Sequence, residues 1–291
     1  MLDFIINPIA GGKHGKKTKK VVEQIKEYLA EKGVEFAIHY TEYKNHAKEL
    51  TSALIKNGAT DIIVVGGDGT LHEVINGFSS FEKVNMGLIP CGTGNDFAKA
   101  LDIPKNTKGA LDIIINQTPK YTDFMQMGDI RGINVIGTGI DVDVLKRYNS
   151  LKKRNKFNYT TSLIKTLFDF EYTNFTATLD GKDKKYTSFI ACVANGKYFG
   201  GGIPICPDAD ASDNKLNFVA VKYIPRIKII GAFMQLKMGK ILKYKQTEHF
   251  TCSNANIVTE KPCTVQVDGE LYENVPFNVK VVSNTLKMYR V

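Results

Sequence analysis

The sequence has few of the features that mark a secreted, metal-binding or membrane-spanning protein. Its five cysteines are widely spaced, and none lies in a CxxC or Cys/His metal-binding pattern. We therefore expect reduced thiols in a cytoplasmic protein, most of them packed in the interior. No apolar run approaches the ~20 residues that a membrane-spanning helix needs, and we see no signal peptide before the first apolar segment.

Catalytic histidine pairs and nucleic-acid-binding motifs are also missing. The five histidines are scattered, and no RNP-like, helix-turn-helix or zinc pattern is present. The formal charge of +9 favours anionic partners: nucleotides, nucleic acid or an anionic membrane surface. Because only the charge supports nucleic acid, we do not expect it as a partner.

The order of predicted elements changes along the chain. Up to about residue 120, apolar strands alternate with helical patterns, among them residues 16–32 and a helix that Asn45 would cap. This order predicts a parallel sheet with helices on both faces. Later segments are short, β-branched and separated by turn signals, which predicts a mostly antiparallel β-sandwich or barrel-like domain. Two segments that look helical, at about 144–170 and 224–246, interrupt it.

Three glycine-rich loops follow strands of the predicted parallel sheet: NPIAGGKHGKK, VVGGDGT and IPCGTGNDFA. Glycines let backbone approach a ligand, and amides at a helix N-terminus can hold phosphate oxygens. A carboxylate there, such as Asp68, suits Mg²⁺ rather than phosphate itself. The alternative is a strand-to-helix turn with a capping aspartate. Neither a dinucleotide GxGxxG nor a Walker P-loop is present, since Lys17 stands where the Walker hydroxyl residue should be.

Together these motifs resemble the diacylglycerol kinase catalytic domain, most closely the bacterial lipid kinases related to eukaryotic sphingosine and ceramide kinases. NPIAGG, GGDGTLHEVING and IPCGTGNDFA occur in the family's order and spacing. The resemblance continues through NVIGTGIDVDV, where Ile140 replaces an aromatic residue, then through VANGKYFGGGIPICPDADASDNKL and VQVDGE. It covers nearly the full length.

The resemblance implies an α/β N-terminal nucleotide-binding domain with a parallel sheet, at residues 1–122, and a mostly antiparallel β-sandwich C-terminal domain for the lipid substrate, at residues 123–285. A last strand within 286–291 would return to the first domain. The implied nucleotide site consists of Asn7, Gly12, Lys13, Thr41, Gly67, Asp68, Gly69, Thr70, Gly92, Thr93, Gly94 and Asn95.

The same resemblance implies catalytic roles. Asp68, Asp96 and Glu270 would organise Mg²⁺ and the phosphates, and Asp268 would be the general base. Glu73 and Asn76 would support the GGDG loop by hydrogen bonds. Asp-Gly is also the commonest type I′ hairpin pair, so VQVDGELYE reads equally as a hairpin; a tight turn can still present a carboxylate to a cleft.

A second metal site is implied in the Ser212–Leu216 loop. Asp213 would ligate a structural Mg²⁺, with backbone help from Asp210 and Lys215. Asn214 replaces the family's glycine, and asparagine tolerates the left-handed conformation better than most residues. The alternative is an ordinary solvated turn before the next strand.

Two basic segments, from Lys146 and from Lys222, contain no acidic residue and mix bases with apolar residues. Such a composition suits a helix lying on anionic lipid. The alternatives are a core helix with a solvated basic face, or walls of an acyl-chain cleft. We expect peripheral contact with the inner face of an anionic membrane, and leave a homodimer open.

The resulting prediction is an ATP-dependent lipid kinase that phosphorylates diacylglycerol or a related lipid alcohol, with Mg²⁺. One alternative is another GGDG-type kinase, such as an NAD kinase or phosphofructokinase; GTGNDFA and VQVDGE argue against both. A non-catalytic lipid- or nucleotide-binding protein is the other alternative. It would need a lost base or a broken glycine loop, and the chain retains both.

Overall fold

The structure is a computed structural model that describes residues 1–12, 15–151, 161–162, 165–167 and 169–291. It divides into two compact units. The first comprises Met1–Phe124 and Val282–Val291, and the second comprises Met125–Val281. The predicted Lys13 lies outside the described residues, as do residues 152–160, 163–164 and 168 of the helical segment predicted at 144–170.

The first unit alternates strands and helices, as the sequence predicts. Its elements are β1 (Leu2–Ile6), α1 (Lys16–Lys32), β2 (Phe36–Tyr40), α2 (His46–Lys56), β3 (Asp61–Gly66), α3 (Asp68–Gly77), β4 (Asn85–Pro90), α4 (Asp96–Ala100), α5 (Thr107–Asn116) and the start of β5 (Lys120–Met127). Strands β2, β1, β3 and β4 pair in that order, all parallel. The predicted parallel sheet is confirmed.

Strand ends in this sheet are aligned by register. Ile6 pairs with Tyr40 and with Val65, and Gly66 pairs with Pro90. The strands are apolar and buried along nearly their whole length because helices cover both faces of a parallel sheet. The loops after β1, β3 and β4 therefore leave the sheet at one edge.

The second unit is built mainly from antiparallel strands. Its elements are the end of β5, β6 (Ile130–Gly132), β7 (Val135–Gly139), α6 (Ile140–Asn149), β8 (Thr173–Leu179), β9 (Lys182–Ala194), β10 (Tyr198–Phe199), β11 (Ile203–Pro204), β12 (Leu216–Lys222), α7 (Arg226–Lys237), a 3-10 helix (Ile241–Lys243), β13 (Thr247–Cys252), β14 (Asn254–Thr259), β15 (Thr264–Val267), β16 (Glu270–Glu273) and the start of β17 (Phe277–Met288).

Two apolar clusters lie on opposite faces of the second unit's strands. Phe218 and Ala220 of β12 belong to one cluster, whereas Val219 and Val221 belong to the other. This alternation follows from the two-residue period of a strand. The second cluster also includes Val144 of α6 and Ile229 of α7, so α6 and α7 cover one face of the sheet.

All five cysteines are unbridged, and four of them are buried. Among the helices in the described part of the chain, none is long and apolar enough to cross a membrane.

Candidate functional site

The three glycine-rich loops of the first unit pack directly against one another. A Cβ atom added to Gly92 would lie 2.4 Å from the Gly67 Cα atom, and one added to Gly67 would lie 2.9 Å from the Gly92 Cα atom. A Cβ atom on Gly11 would lie within 3 Å of the Cys91 carbonyl oxygen, and Gly11 also has a φ of 77°. Only glycine permits this close approach of the loops. The need for close packing therefore explains why the three loops are rich in glycine.

Polar side chains connect the same loops. Asn7, after β1, donates from Nδ2 to the Thr70 hydroxyl at 3.2 Å, in the first turn of α3. Asn95 donates from Nδ2 to the Gly92 carbonyl at 2.9 Å. Its Oδ1 atom is buried and has no hydrogen-bond partner within the described part of the chain. A buried acceptor without a donor is costly in a folded protein, so this atom marks a position where a ligand donor would fit.

Asp68 spans two of the loops through backbone hydrogen bonds. Its Oδ1 atom accepts from the amides of Asp96, at 2.7 Å, and Phe97, at 3.3 Å. The carboxylate therefore caps the short helix α4, in a neighbouring loop, rather than its own helix α3. The Asp96 side chain is buried, and its Oδ1 atom accepts from the Lys99 ammonium at 3.0 Å.

Glu73 makes a different contact from the one expected. Its Oε2 atom accepts from the Ala47 amide at 3.2 Å, at the start of α2. Asn45 precedes α2 but has a φ of 71° and makes no side-chain cap. Glu73 thus supplies the capping interaction expected of Asn45, and it supports α2 rather than the glycine loop. Asn76 donates to the His72 carbonyl of its own helix at 2.8 Å.

The remaining predicted nucleotide residues lie at the same edge of the sheet. Thr41 directly follows β2, and its amide bonds the Ile6 carbonyl at 2.9 Å. Gly69 lies in the first turn of α3, with open space where a side chain would be. Gly12 follows β1, and Thr93 and Gly94 lie between β4 and α4.

One cation at the loops was not among the predicted site residues. Lys17, in the first turn of α1, donates from Nζ to the Cys91 carbonyl at 3.2 Å. The only sequence signal was its place in GGKHGKKT, where it interrupts a Walker-like pattern. Lys13 lies outside the described residues, so Lys17 and Lys99, which pairs with Asp96, are the lysines that the described residues place at these loops.

In the second unit, Asp268 occupies a tight hairpin between β15 and β16. Asp268 and Gly269 both have positive φ, 52° and 94°. This combination is that of a type I′ turn, so the hairpin interpretation is confirmed. Glu270 is the first residue of β16.

The Asp268 carboxylate accepts three backbone hydrogen bonds. Its donors are the amides of Ile133 at 2.8 Å, Asn134 at 2.8 Å and Val135 at 3.1 Å. Asp268 therefore holds the start of β7 against the hairpin. A role in catalysis would add to this structural role.

The loop of the implied structural metal site is an exposed turn. The Asp213 Oδ1 atom accepts from the Lys215 amide at 3.0 Å, and the Ser212 hydroxyl donates to Asp210 at 2.7 Å. Asn214 is left-handed, with a φ of 62°, as expected of the residue that replaces glycine. No group of three or more His, Cys, Asp or Glu residues that could hold a metal ion occurs among the described residues.

An apolar cavity of about 40 Å³ lies between the sheet and the helices of the second unit. Residues of α6, β9, β12 and α7 line it, and Asp141 is the acidic residue in this lining. Burial raises the pKa of Asp141 to about 7. The Val142 amide and the Gln266 side chain oppose this shift, but neither makes a hydrogen bond of ordinary geometry with the carboxyl group. Sequence reasoning gave Asp141 no role.

Comparison with known families decides which fold this is. Residues 2–127 match the model of the diacylglycerol kinase catalytic domain, and residues 134–290 match the model of the YegS C-terminal NAD kinase beta sandwich-like domain. The chain belongs to the diacylglycerol kinase catalytic-domain family. It is thus a member of a lipid kinase family, with an α/β part followed by a β-sandwich-like domain.

Individual relatives of this protein are distant in sequence. A diacylglycerol kinase of Mycobacterium tuberculosis is 27% identical over 301 residues, which cover 98% of this chain and 94% of that protein. A crystal structure described as "a putative diacylglycerol kinase from Bacillus anthracis" is 23% identical and has a TM-score of 0.80, covering 100% of this chain and 96% of its own. An NAD kinase from Archaeoglobus fulgidus, in complex with ATP, is 14% identical with a TM-score of 0.53, covering 99% and 92%. The two structures show that the fold is shared.

Proposed function

We propose that this protein is an ATP-dependent lipid kinase that transfers the γ-phosphate to the hydroxyl of diacylglycerol or a related lipid alcohol. The observation that supports it best is the contact between the three glycine loops, which brings exposed backbone from β1, β3 and β4 to one edge of a parallel sheet. Ligands of open α/β sheets bind at this edge. Family membership supports phosphoryl transfer, and the ATP complex of the NAD kinase supports ATP as donor.

Within the first unit, the proposed phosphate contacts come from backbone and from one ammonium. The α3 helix begins at Asp68 directly after Gly67, so its first amides have no partner within the helix and can donate to phosphate oxygens. Lys17 can neutralise part of the phosphate charge once it leaves the Cys91 carbonyl. The unpartnered Asn95 Oδ1 atom can accept from a hydroxyl or amino group of the nucleotide.

The residues present fit a Mg²⁺ ion that arrives with the nucleotide. Mg²⁺ is usually held by one or two carboxylates together with substrate phosphates and water, rather than by a closed protein cage. Asp68 and Asp96 supply two carboxylates in adjacent loops, and Asp68 already uses one oxygen on backbone amides. Asp68, helped by Asp96, would hold the ion, which would neutralise charge on the phosphates.

For the second unit we propose Asp268 as the general base and Glu270 as its acidic neighbour. The three amides that bind Asp268 fix the orientation of its carboxylate, as a base must be fixed. A carboxylate has about four acceptor positions, so the substrate hydroxyl must use a position that these amides leave.

The apolar cavity is the proposed location of a lipid chain. Its walls are apolar apart from Asp141, which could bind a hydroxyl of the lipid as a neutral acid or as a carboxylate. The present volume of about 40 Å³ is far below the ~300 Å³ at which ligand pockets usually begin. Lipid entry therefore requires the helices over the cavity to move outward.

The test is transfer of label from γ-³²P-ATP, with Mg²⁺, to diacylglycerol, monoacylglycerol, sphingosine or ceramide in mixed micelles, with NAD as a soluble alternative acceptor. Asp268→Asn is the matched variant, because asparagine tolerates the positive φ and its one carbonyl oxygen can still accept from the Asn134 and Val135 amides, so that only the bond from the Ile133 amide is lost. We expect a labelled lipid from the wild type and a loss of ~10²–10⁴-fold in the variant. Labelled NAD, or a fully active variant, would contradict the proposal.

A further inference from the structure

The α7 helix is apolar on two opposite faces. Its inner face, with Ile229, Ala232, Phe233 and Leu236, lines the cavity. Its outer face carries four large apolar side chains that are exposed: Ile227 at 89%, Ile230 at 56%, Met234 at 50% and Met238, just beyond the helix, at 51%. Their spacing of three, four and four residues places them on one side of the helix. We call these four residues the outer stripe.

Such a stripe is unusual for a helix on the surface of a globular protein. The outward face of a surface helix is normally polar, and contiguous exposed apolar patches usually mark an interaction site. Burial in the core does not explain the outer stripe, since the cavity takes the opposite face.

The charges around the outer stripe indicate which partner fits. Between Lys222 and Lys245 the sequence has seven basic residues and no acidic residue, and among them Lys222 already pairs with Glu248. Lys228 and Lys237 of α7 are exposed, as are the lysines that follow the helix, Lys240, Lys243 and Lys245. An apolar stripe with exposed lysines on and after the same helix complements a surface with an apolar interior and anionic head groups.

The length of α7 determines how it could meet such a surface. Its 12 residues extend about 18 Å, well short of the ~30 Å hydrocarbon core of a bilayer. The helix can therefore lie along the interface but cannot cross it. We propose that the outer stripe of α7 docks this protein on an anionic bilayer, with the stripe in the acyl boundary and the lysines at the phosphates.

Docking would also connect the bilayer with the cavity, a consequence that rests on the proposed lipid kinase function. The same helix carries the outer stripe and one wall of the cavity. A displacement of α7 toward the bilayer would widen the cavity from the side on which lipid is available.

Vesicle binding tests the docking without any catalytic step. The protein is sedimented, in the absence of ATP, with vesicles of phosphatidylcholine alone or with one third phosphatidylglycerol. We expect binding to the anionic vesicles only. The double variant Ile230→Ser/Met234→Ser should bind at least ~10-fold more weakly, and Lys228→Gln/Lys237→Gln about 25-fold more weakly, at ~5-fold per lysine.

Matched controls come from the same unit. Phe250→Ser/Val258→Ser removes two exposed apolar side chains of β13 and β14, and Lys182→Gln/Lys185→Gln removes two exposed lysines of β9. Both should bind vesicles like the wild type. Equal loss in the control and stripe variants would overturn the proposal, as would wild-type binding by the stripe variants.

Two further measurements distinguish bilayer docking from self-association and from nucleic-acid binding. If sedimentation velocity shows a dimer that Ile230→Ser/Met234→Ser dissociates, or if duplex DNA competes fully with the vesicles, the stripe or its lysines serve another partner and the proposal fails. Asp268→Asn should bind vesicles normally, and the stripe variant should label lipid in detergent micelles normally. Failure of lipid labelling with intact vesicle binding would thus count against the kinase proposal alone.

Discussion

At the scale of single residues, Asp68 has a structural contact that can be separated from its proposed role. Its Oδ1 atom accepts from the amides of Asp96 and Phe97, so it caps α4 whether or not it binds Mg²⁺. Asparagine keeps an acceptor oxygen but loses the negative charge, whereas alanine loses both. The two substitutions therefore distinguish capping from metal binding.

We predict that Asp68→Ala lowers the free energy of unfolding by about 0.5–2 kcal/mol, the usual effect of removing a cap. Asp68→Asn should stay within about 0.5 kcal/mol of the wild type, yet both variants should lose nearly all kinase activity. Urea unfolding and the γ-³²P-ATP assay measure the two effects. An active Asp68→Asn enzyme would show that the residue acts only as a cap.

The sequence could predict which loops meet at the site, but not which neighbours the polar side chains contact. The convergence of the loops at Gly67 and Gly92 was predictable, because strand ends of a parallel sheet share one edge. The direction of the Asp68 carboxylate was not, since its partners are 28 and 29 residues away. The same holds for Glu73, which caps α2, and for Lys17, whose ammonium reaches a carbonyl 74 residues away. A motif identifies residue types but does not say which neighbour each one contacts.

At the scale of secondary-structure elements, the local pattern of apolar residues predicted where helices form in two segments of the chain. The helix predicted at residues 16–32 is α1, whose buried side chains include Val21, Val22, Ile25 and Leu29. The segment predicted as helical at 224–246 contains α7 and a 3-10 helix. The two apolar faces of α7 could not be assigned from the sequence, because apolar residues on two sides of a helix do not show which side faces the core until their exposure is known.

Substitution of two glycines tests the backbone conformation within α7 and just after its C-terminal end. Gly231 lies within the helix, has no positive φ, and has open space where a Cβ would lie, whereas Gly239 has a φ of 69°. We predict that Gly231→Ala raises the free energy of unfolding by about 0.5–1 kcal/mol, through helix propensity. Gly239→Ala should lower it by a similar amount or more, since alanine is strained at positive φ. Urea unfolding of both variants measures this, and a stabilising Gly239→Ala would contradict the assigned backbone conformation.

At the scale of the whole molecule, the first unit is built from two separate parts of the chain, with the second unit between them in the sequence. Val282–Val291 belong to the first unit, where Lys287 and Met288 of β17 pair in parallel with Asn85 and Met86 of β4. The sheet of the first unit thus needs a strand from the end of the chain. Contacts across such a long separation in sequence slow folding, so we expect the first unit to reach its final stability only after the second unit has been synthesised.

The pH dependence of global stability depends on the buried Asp141. Burial raises its pKa from 3.8 to about 7, so between these values the folded protein holds a proton that the unfolded chain has lost. Stability contributed by this group is therefore present at low pH and declines as pH rises, until it levels off above about pH 7. A pKa shift of this size corresponds to a decrease of about 4 kcal/mol in the free energy of unfolding as the pH rises from below the unfolded-state pKa to above the folded-state pKa.

Asp141→Asn, which cannot ionise, should remove this decline while other groups titrate as before. We predict that the free energy of unfolding of the variant, relative to the wild type, increases between pH 5 and about pH 7 and then levels off toward pH 8, with a total increase of up to about 3 kcal/mol, since part of the decline occurs below pH 5. Urea unfolding at half-unit pH intervals provides the measurement. A relative stability that does not change with pH would mean that Asp141 is already ionised, and hence solvated, in the folded protein. The cavity beside α7 would then be open to water, and its assignment to a lipid chain would lose its main support.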